Sequence, residues 1–265
     1  MNGDPSSPDL YCHEDPNFLY EDDEEMAEVN VVVNQNEIEL EEAHLHSLID
    51  QEIAFGFRRD EDLVIDDWVQ EARLQAITWV QTRTRALGFH PRTAYLAITY
   101  FDRFISLQAI PEHKRAAYVR LISVVCLLLA AKMEEMNRPP LSQYAHQFQG
   151  GSIKKIELLV LVVLKWKMNL ITPFAFLDNF IAKLCQESPP GLKSGIEQRL
   201  LSIMTEIHLM HHRPSAIAAA ATLMAVDQNL AQEALEAKIT SIPELYFLEI
   251  EAVYSYYTIM QVPLP

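Results

Sequence analysis

Residues 118–136 read YVRLISVVCLLLAAKMEEM. From Leu121 to Ala131 the run is apolar apart from Ser123, shows neither strand alternation nor a one-sided stripe, and emerges into charge at Lys132. A helix that is apolar all round must be enclosed by other helices, so this stretch predicts the centre of a helical bundle. Arg138-Pro139-Pro140 stops it, because proline removes a backbone donor and clashes with the preceding turn. Upstream, Ala94, Ala97, Ile98, Phe101, Phe104 and Ile105 recur at the three- and four-residue spacing of one helix face. Glycines number only seven, with none between Gly88 and Gly150 or after Gly195, so tight strand-joining turns are scarce. The fold class is therefore all-α.

Downstream the same plan recurs. Ser152, after Gly150-Gly151, is placed to cap a helix whose stripe is Ile153, Ile156, Val160, Val163 and Leu164, and Asn169–Pro173 breaks the chain. Helices are expected over about 173–185 and 193–212, separated by Pro189-Pro190-Gly191, and then PSAIAAAATLMAV (214–226) forms a second enclosed helix whose alanines allow close approach. Further helices are expected near Gln232 and over 243–260. The two enclosed helices lie about 90 residues apart, each third in its set, which predicts two five-helix units in tandem. EIELEEAHLHSLIDQEI (37–53) predicts a separate preceding helix with Ile38, Leu45, Leu48, Ile49 and Ile53 on one side, expected to dock on the first unit. The expected organisation is a disordered acidic leader over 1–36, a first unit with its preceding helix over 37–168, and a second unit over 169–265.

The net charge of −16 is unevenly spread: residues 1–57 hold 16 of the 37 acidic residues and none of the 21 basic ones. The body is thus neutral, which argues against nucleic acid or an anionic membrane as a partner, since both select for basic stripes. An acidic leader with little clustered apolar surface cannot offset its own ordering entropy, and its use lies in binding other proteins. Cys12, Cys126 and Cys185 form neither a disulfide framework nor a CxxC metal pair, pointing to a reducing compartment. The N-terminus is acidic where targeting peptides are basic, and the longest apolar runs, LISVVCLLLAA and LLVLVVL, are short for a bilayer. A soluble nuclear or cytoplasmic protein is expected. No GxGxxG, GxxxxGK[ST], GxSxG or HExxH pattern occurs, so no enzyme chemistry and no cofactor are expected. His208, His211 and His212 bunch in EIHLMHHRP (206–214), but histidines near a helix C-terminus are favoured by the dipole and no matching ligand cluster occurs, so no metal is expected.

Five stretches, DDWVQEARLQAITWV (66–80), AYLAITYFDRFIS (94–106), LLLAAKMEEM (127–136), IELLVLVVLKWKMNLITPFAFLDNF (156–180) and RPSAIAAAATLMA (213–225), arrive in the order and spacing of a D-type cyclin. The chain resembles that family from about Glu37 to its end, and is most similar to the plant D-type group. The resemblance implies the cyclin-like fold and a regulatory subunit that binds and activates a cyclin-dependent kinase, directs it to a retinoblastoma-type pocket protein and promotes the G1/S transition. Kinase-inhibitor proteins are further partners it allows, and the nucleus is the implied compartment, with the cytoplasm as the alternative. The competing reading is a cyclin-like adaptor that occupies the pocket protein without activating a kinase.

The resemblance also assigns residues. LYCHE (10–14) matches the LxCxE motif for pocket proteins: in an extended strand Leu10, Cys12 and Glu14 share one side, two apolar plugs and a carboxylate, and the acidic run after them steers association. The alternative for these three positions is a chance match. Lys132 and Glu157 match the family's kinase-contacting lysine and glutamate; read without the family, Lys132 complements a helix C-terminus and Glu157 the N-terminal half of the next helix. Counting back from Trp79, Ala72, Arg73, Leu74, Gln75 and Ala76 occupy the place of the MRAIL substrate-docking patch, with Gln75 where a large apolar residue would sit, so docking there is expected to be weak.

Overall fold

The computed structural model describes residues 39–54, 66–140, 143, 150–185, 189–206 and 213–261, and no strand occurs among them. The first compact unit of the chain ends at His44, and its described part is helical. The second, Leu45–Pro265, contains everything described below. The helix α1 spans 39–54. It is followed by α2 (Asp67–Leu87), α3 (Pro91–Leu107), α4 (Arg115–Glu134) and α5 (Gly150–Val163). After the turn Pro173–Phe176 come α6 (Leu177–Leu184), α7 (Leu192–Ser202), α8 (Pro214–Val226), α9 (Gln232–Thr240) and α10 (Ile250–Gln261). Between Pro140 and α5 only Gln143 is described and it is helical, so the fourth helix expected in the first unit falls largely outside the described residues.

Two apolar cores explain this order. In the first, α4 packs against α2, α3 and α5, which is why its sequence is apolar on every side: Ile122 through Leu127 and Leu129 through Ala131 are buried. The stripe of α3, Ala94 to Ile105, is buried at all six positions named above. The stretch Glu112–Glu134 is long and apolar enough to cross a membrane, contrary to the expectation from the apolar runs alone. Its burial among α2, α3 and α5 gives its composition another cause, the enclosure of a core helix. In the second core α8 is wrapped by α6, α7, α10 and the Pro173–Phe176 turn, and every residue from Pro214 to Met224 is buried. Four consecutive alanines, Ala218–Ala221, let those neighbours approach its backbone. Leu170 packs in the first core and Ile171 in the second.

Several expectations are corrected. The helix 37–53 docks through Leu45, Leu48 and Ile49 on the second core, beside Phe176, Leu177 and α8, not on the first. Its buried face continues to Glu52, whereas Ile53 is 63% exposed, because positions 45, 48, 49 and 52 repeat at helical spacing and Ile53 lies off that line. Ile38 lies outside the described residues. Glu52, buried to 1%, accepts hydrogen bonds from Ser215 N (2.7 Å), Ser215 Oγ (2.8 Å) and Arg213 Nε (2.9 Å), so an acid from α1 caps the first turn of α8. Ser152 does not cap α5, which is already helical at Gly150. The helix expected over 193–212 ends at Ser202 and tightens into a 3₁₀ turn, Ile203–Thr205. The stretch 243–260 is divided into a 3₁₀ turn, Pro243–Leu245, and α10.

Candidate partner-binding site

The last turn of α4 is held firmly. Glu135 N donates to Ala131 O (3.0 Å) to close the helix, the Glu135 carboxylate accepts from His90 N (2.8 Å) and the Thr93 hydroxyl at the start of α3, and Arg92 pairs with Glu134 (2.8 Å). On this base Lys132 extends from α4 and forms an ion pair with Glu157 of α5. The lysine side chain is 43% exposed and that of Glu157 is 17% exposed. The two charges, 25 residues apart in sequence, thus meet between two helices. A pair this open to water contributes at most about 1 kcal/mol to folding, and its groups remain available to a partner that offers better ones.

The second candidate surface is an open groove of about 660 Å³ between α2 and the first half of α4, lined by Leu74, Gln75, Thr78, Trp79, Val119 and Arg120 among others. Arg83 lies over the Trp79 ring at 5.7 Å. Of the residues assigned from sequence, Gln75 and Trp79 line this groove. Ala72, Arg73 and Ala76 do not, because the 3.6-residue period turns those three inward, where they are 4%, 3% and 1% exposed. Leu74 of the same stretch lines the groove as well.

Arg73 has a structural task instead. Its Nε lies 3.0 and 3.1 Å from the two carboxylate oxygens of Asp102 on α3, and its Nη1 donates to Met204 O and, at 3.4 Å, to Glu206 O in the turn after α7. Gln81 of α2 adds a bond to Leu201 O (2.9 Å). The first bundle is thereby tied to the second through one buried hydrogen bond and two partly buried ones. Burial pushes the Asp102 carboxyl above its ordinary value, opposed by the charge and hydrogen bonds of Arg73. A sequence signal existed: Asp102 sits on the buried line of Ile98, Phe101 and Ile105, and a buried acid demands a buried partner.

Leu10, Cys12 and Glu14 lie outside the described residues, as do His208, His211 and His212. Among the described residues no group of three His, Cys, Asp or Glu side chains could hold a metal. Cys126 is fully buried in α4, and burial pushes its thiol up, the opposite of what a nucleophile needs.

Residues 44–169 match the family described as Cyclin, N-terminal domain. The chain is 37% identical over 266 residues to cyclin-D5-1 of Arabidopsis thaliana, covering 93% of this chain and 80% of that protein. It is 37% identical over 202 residues to cyclin-D5-1 of Oryza sativa subsp. japonica, covering 73% and 55%, and 37% identical over 177 residues to cyclin-D1-1 of the same species, covering 63% and 47%. It therefore spans four-fifths of the first and about half of the other two. Among solved structures, a viral cyclin from herpesvirus saimiri is similar in fold, with a TM-score of 0.62 at 15% identity over 82% of this chain and 97% of that one. A chain of the CAK complex from Chaetomium thermophilum has a TM-score of 0.52 at 16% identity over 84% and 73%. With two helical cores each enclosing an apolar helix, and with a D-type relative that matches 93% of its length, the chain belongs to the plant D-type cyclins.

Proposed function

We propose that this cyclin binds and activates a cyclin-dependent kinase through the face on which Lys132 and Glu157 meet. It then directs that kinase to a retinoblastoma-type pocket protein in the nucleus through Leu10, Cys12 and Glu14, promoting the G1/S transition. The observation that carries the kinase half is the Lys132–Glu157 pair, two opposite charges, one in the last turn of α4 and one midway along α5, partly open to solvent. Neither side chain acts as acid, base or nucleophile; cyclins are regulatory subunits, and the phosphoryl transfer belongs to the kinase. A kinase is inactive when its nucleotide-binding lysine and mobile-helix glutamate are apart, and a partner that binds the assembled arrangement more tightly shifts the population toward it. Lys132 and Glu157 exchange their mutual ion pair for hydrogen bonds to the kinase.

Stranding one member of such an interfacial pair costs about 2–5 kcal/mol. The Lys132→Ala/Glu157→Ala double variant should lose kinase association at least tenfold while keeping its helicity, because neither side chain lies in a core. Kinase activation measured on one folded preparation checks this, and full activation by the double variant would sink the assignment. In the leader, Cys12→Ala or Glu14→Ala should weaken pocket-protein binding by roughly 1–3 kcal/mol without changing thermal stability. Equal binding by wild type and a Leu10/Cys12/Glu14 triple alanine variant would remove the pocket-protein half, and a chain that held the pocket protein but activated no kinase would be an adaptor.

The groove of Gln75 and Trp79 is the third element of this reading, a weak docking site for a short basic-apolar substrate peptide. Gln75→Leu restores an apolar contact and should tighten such a peptide by about 1–2 kcal/mol. Peptide titration against both chains tests it, and tight binding by the wild-type groove would show that the amide is no handicap.

A further inference from the structure

Beside the apolar floor of the groove between α2 and α4 stand guanidiniums that no described acid neutralises. The floor is made by Leu74, which is 40% exposed, with the Trp79 ring and Val119. The other polar groups of the walls are already used. The Thr78 and Thr82 hydroxyls donate to Leu74 O (2.9 Å) and Thr78 O (2.8 Å), and the Ser123 hydroxyl donates to Val119 O (2.7 Å). Among the described residues Glu71 is the one acid of the lining, and its carboxylate accepts from Gln75 Nε2 (3.2 Å). Arg120 is exposed in the α4 wall, and Arg83, one turn beyond Trp79, lies over that ring. Arg115 immediately precedes Ala116 of the same wall. Its guanidinium lies 4.4 Å from the Trp68 ring centre, and its Nε is buried with no hydrogen-bond acceptor among the described residues. None of these three arginines forms an ion pair with a described carboxylate.

Charge narrows the ligand. An aromatic ring attracts a guanidinium through its quadrupole, for about 0.5–1 kcal/mol at an exposed site, but leaves the N–H groups without acceptors. A carboxylate is the group that is lacking, since the paired donors of a guanidinium match its two oxygens. A lysine or arginine of a ligand would instead meet like charge, with Glu71 already engaged by Gln75. The charge that decides is local. Exposed charges farther away than about 8 Å are largely screened at physiological salt, so a ligand reads the groups that line the groove rather than the net charge of −16. An apolar floor beside such donors fits a short peptide in which an apolar side chain is flanked by Asp or Glu. A basic-apolar peptide is thus disfavoured by charge as well as by Gln75.

We propose that this groove selects acidic-apolar peptides, seating an apolar side chain on Leu74, Trp79 and Val119 and a flanking carboxylate on Arg83 and Arg120. This rests on the reading of the groove as a docking site and assigns the charge of its ligand, and the test separates the two. Capped peptides Gly-X-Leu-Phe-X-Gly, with X as Glu, Gln or Lys, are titrated at physiological salt against the wild-type full chain, Arg83→Gln/Arg120→Gln, Arg120→Glu and Trp79→Ala, with circular dichroism on each. Wild type should bind the Glu peptide about tenfold tighter than the Lys peptide, with the Gln peptide between. Raising the salt should shrink that gap. Arg83→Gln/Arg120→Gln should abolish it, and Arg120→Glu, a change at an exposed position that leaves Arg83 in place over its ring, should narrow or invert it. Trp79→Ala should weaken all three peptides. A wild-type preference for the Lys peptide, or a preference for Glu that survives both arginine variants, would overturn the proposal. If all three peptides bind wild type equally and Trp79→Ala releases them, docking stands and the charge assignment falls. If no peptide binds wild type, both fall, and self-association abolished by Trp79→Ala would give the groove to a second copy and overturn the proposal as well.

Discussion

Arg73→Met should destabilise the folded chain by about 3–5 kcal/mol, the cost of leaving one member of a buried ion pair without the other. The side chains of Arg73 and Asp102 are 4% and 9% exposed, so water cannot replace the lost partner. The same substitution removes the donor to Met204 O and Glu206 O, and with it a link between the two bundles. Arg73→Met/Asp102→Leu should recover much of the loss, since replacing both charges with apolar groups removes the uncompensated carboxylate. The penalty should also depend on pH in a defined direction. Without Arg73, burial alone acts on Asp102 and raises its carboxyl further. A group whose folded value lies above its unfolded one favours the folded state at low pH and loses that contribution as pH rises through the folded value. The gap between wild type and Arg73→Met should therefore narrow as pH falls toward the ordinary carboxylate range. Denaturant titrations at neutral and mildly acidic pH measure this. A single variant no weaker than the double, or a gap that widens in acid, would show that the pair is not the link described.

Glu52→Ala should cost about 2–3 kcal/mol. The carboxylate accepts three hydrogen bonds from Arg213 and Ser215, and its removal leaves Ser215 N, in the buried first turn of α8, without its acceptor. Arg213 is 28% exposed and can turn partly to water, which keeps the loss below that of a wholly buried pair. Glu52→Gln should fall between, because the amide keeps one acceptor but presents donors to donors. Hydrogen exchange offers the sharper readout: amides of 45–54 should exchange faster in Glu52→Ala, while α3 and α4 keep their protection. If α1 stays protected and stability changes by less than about 0.5 kcal/mol, its docking rests on Leu45, Leu48 and Ile49 alone.

How far the sequence could be read follows from the kind of signal each element carries. The enclosed helices α4 and α8, and the stripe of α3, were legible because a helix writes its surroundings into its own period: apolar on all sides when enclosed, on one side when not. Lys132 and Glu157 were found by resemblance, but their meeting was not, since 25 residues of chain separate them and pairing is decided by where α5 lies against α4. Of the proposed docking residues, Gln75 and Trp79 line the groove, whereas Ala72, Arg73 and Ala76 turn inward with the helical period. That inward turn was present in the spacing, as was the burial of Asp102 on its own helix; that the two side chains meet, 29 residues apart, was not.

By itself, then, the sequence determined the all-helical class, the two enclosed helices and the faces that α3 and α5 bury, because these follow from local period and composition. Only the tertiary structure decided that α1 docks on the second core rather than the first. An amphipathic stripe states which face leaves water but not which surface receives it, and here the choice is bound up with Glu52, an acid that no apolar pattern would pick out. The end of α7 is of the same kind. Helical propensity alone would carry it further, yet the chain tightens at Ile203–Thr205, where Met204 O and Glu206 O meet the buried guanidinium of Arg73, 131 and 133 residues earlier in the chain.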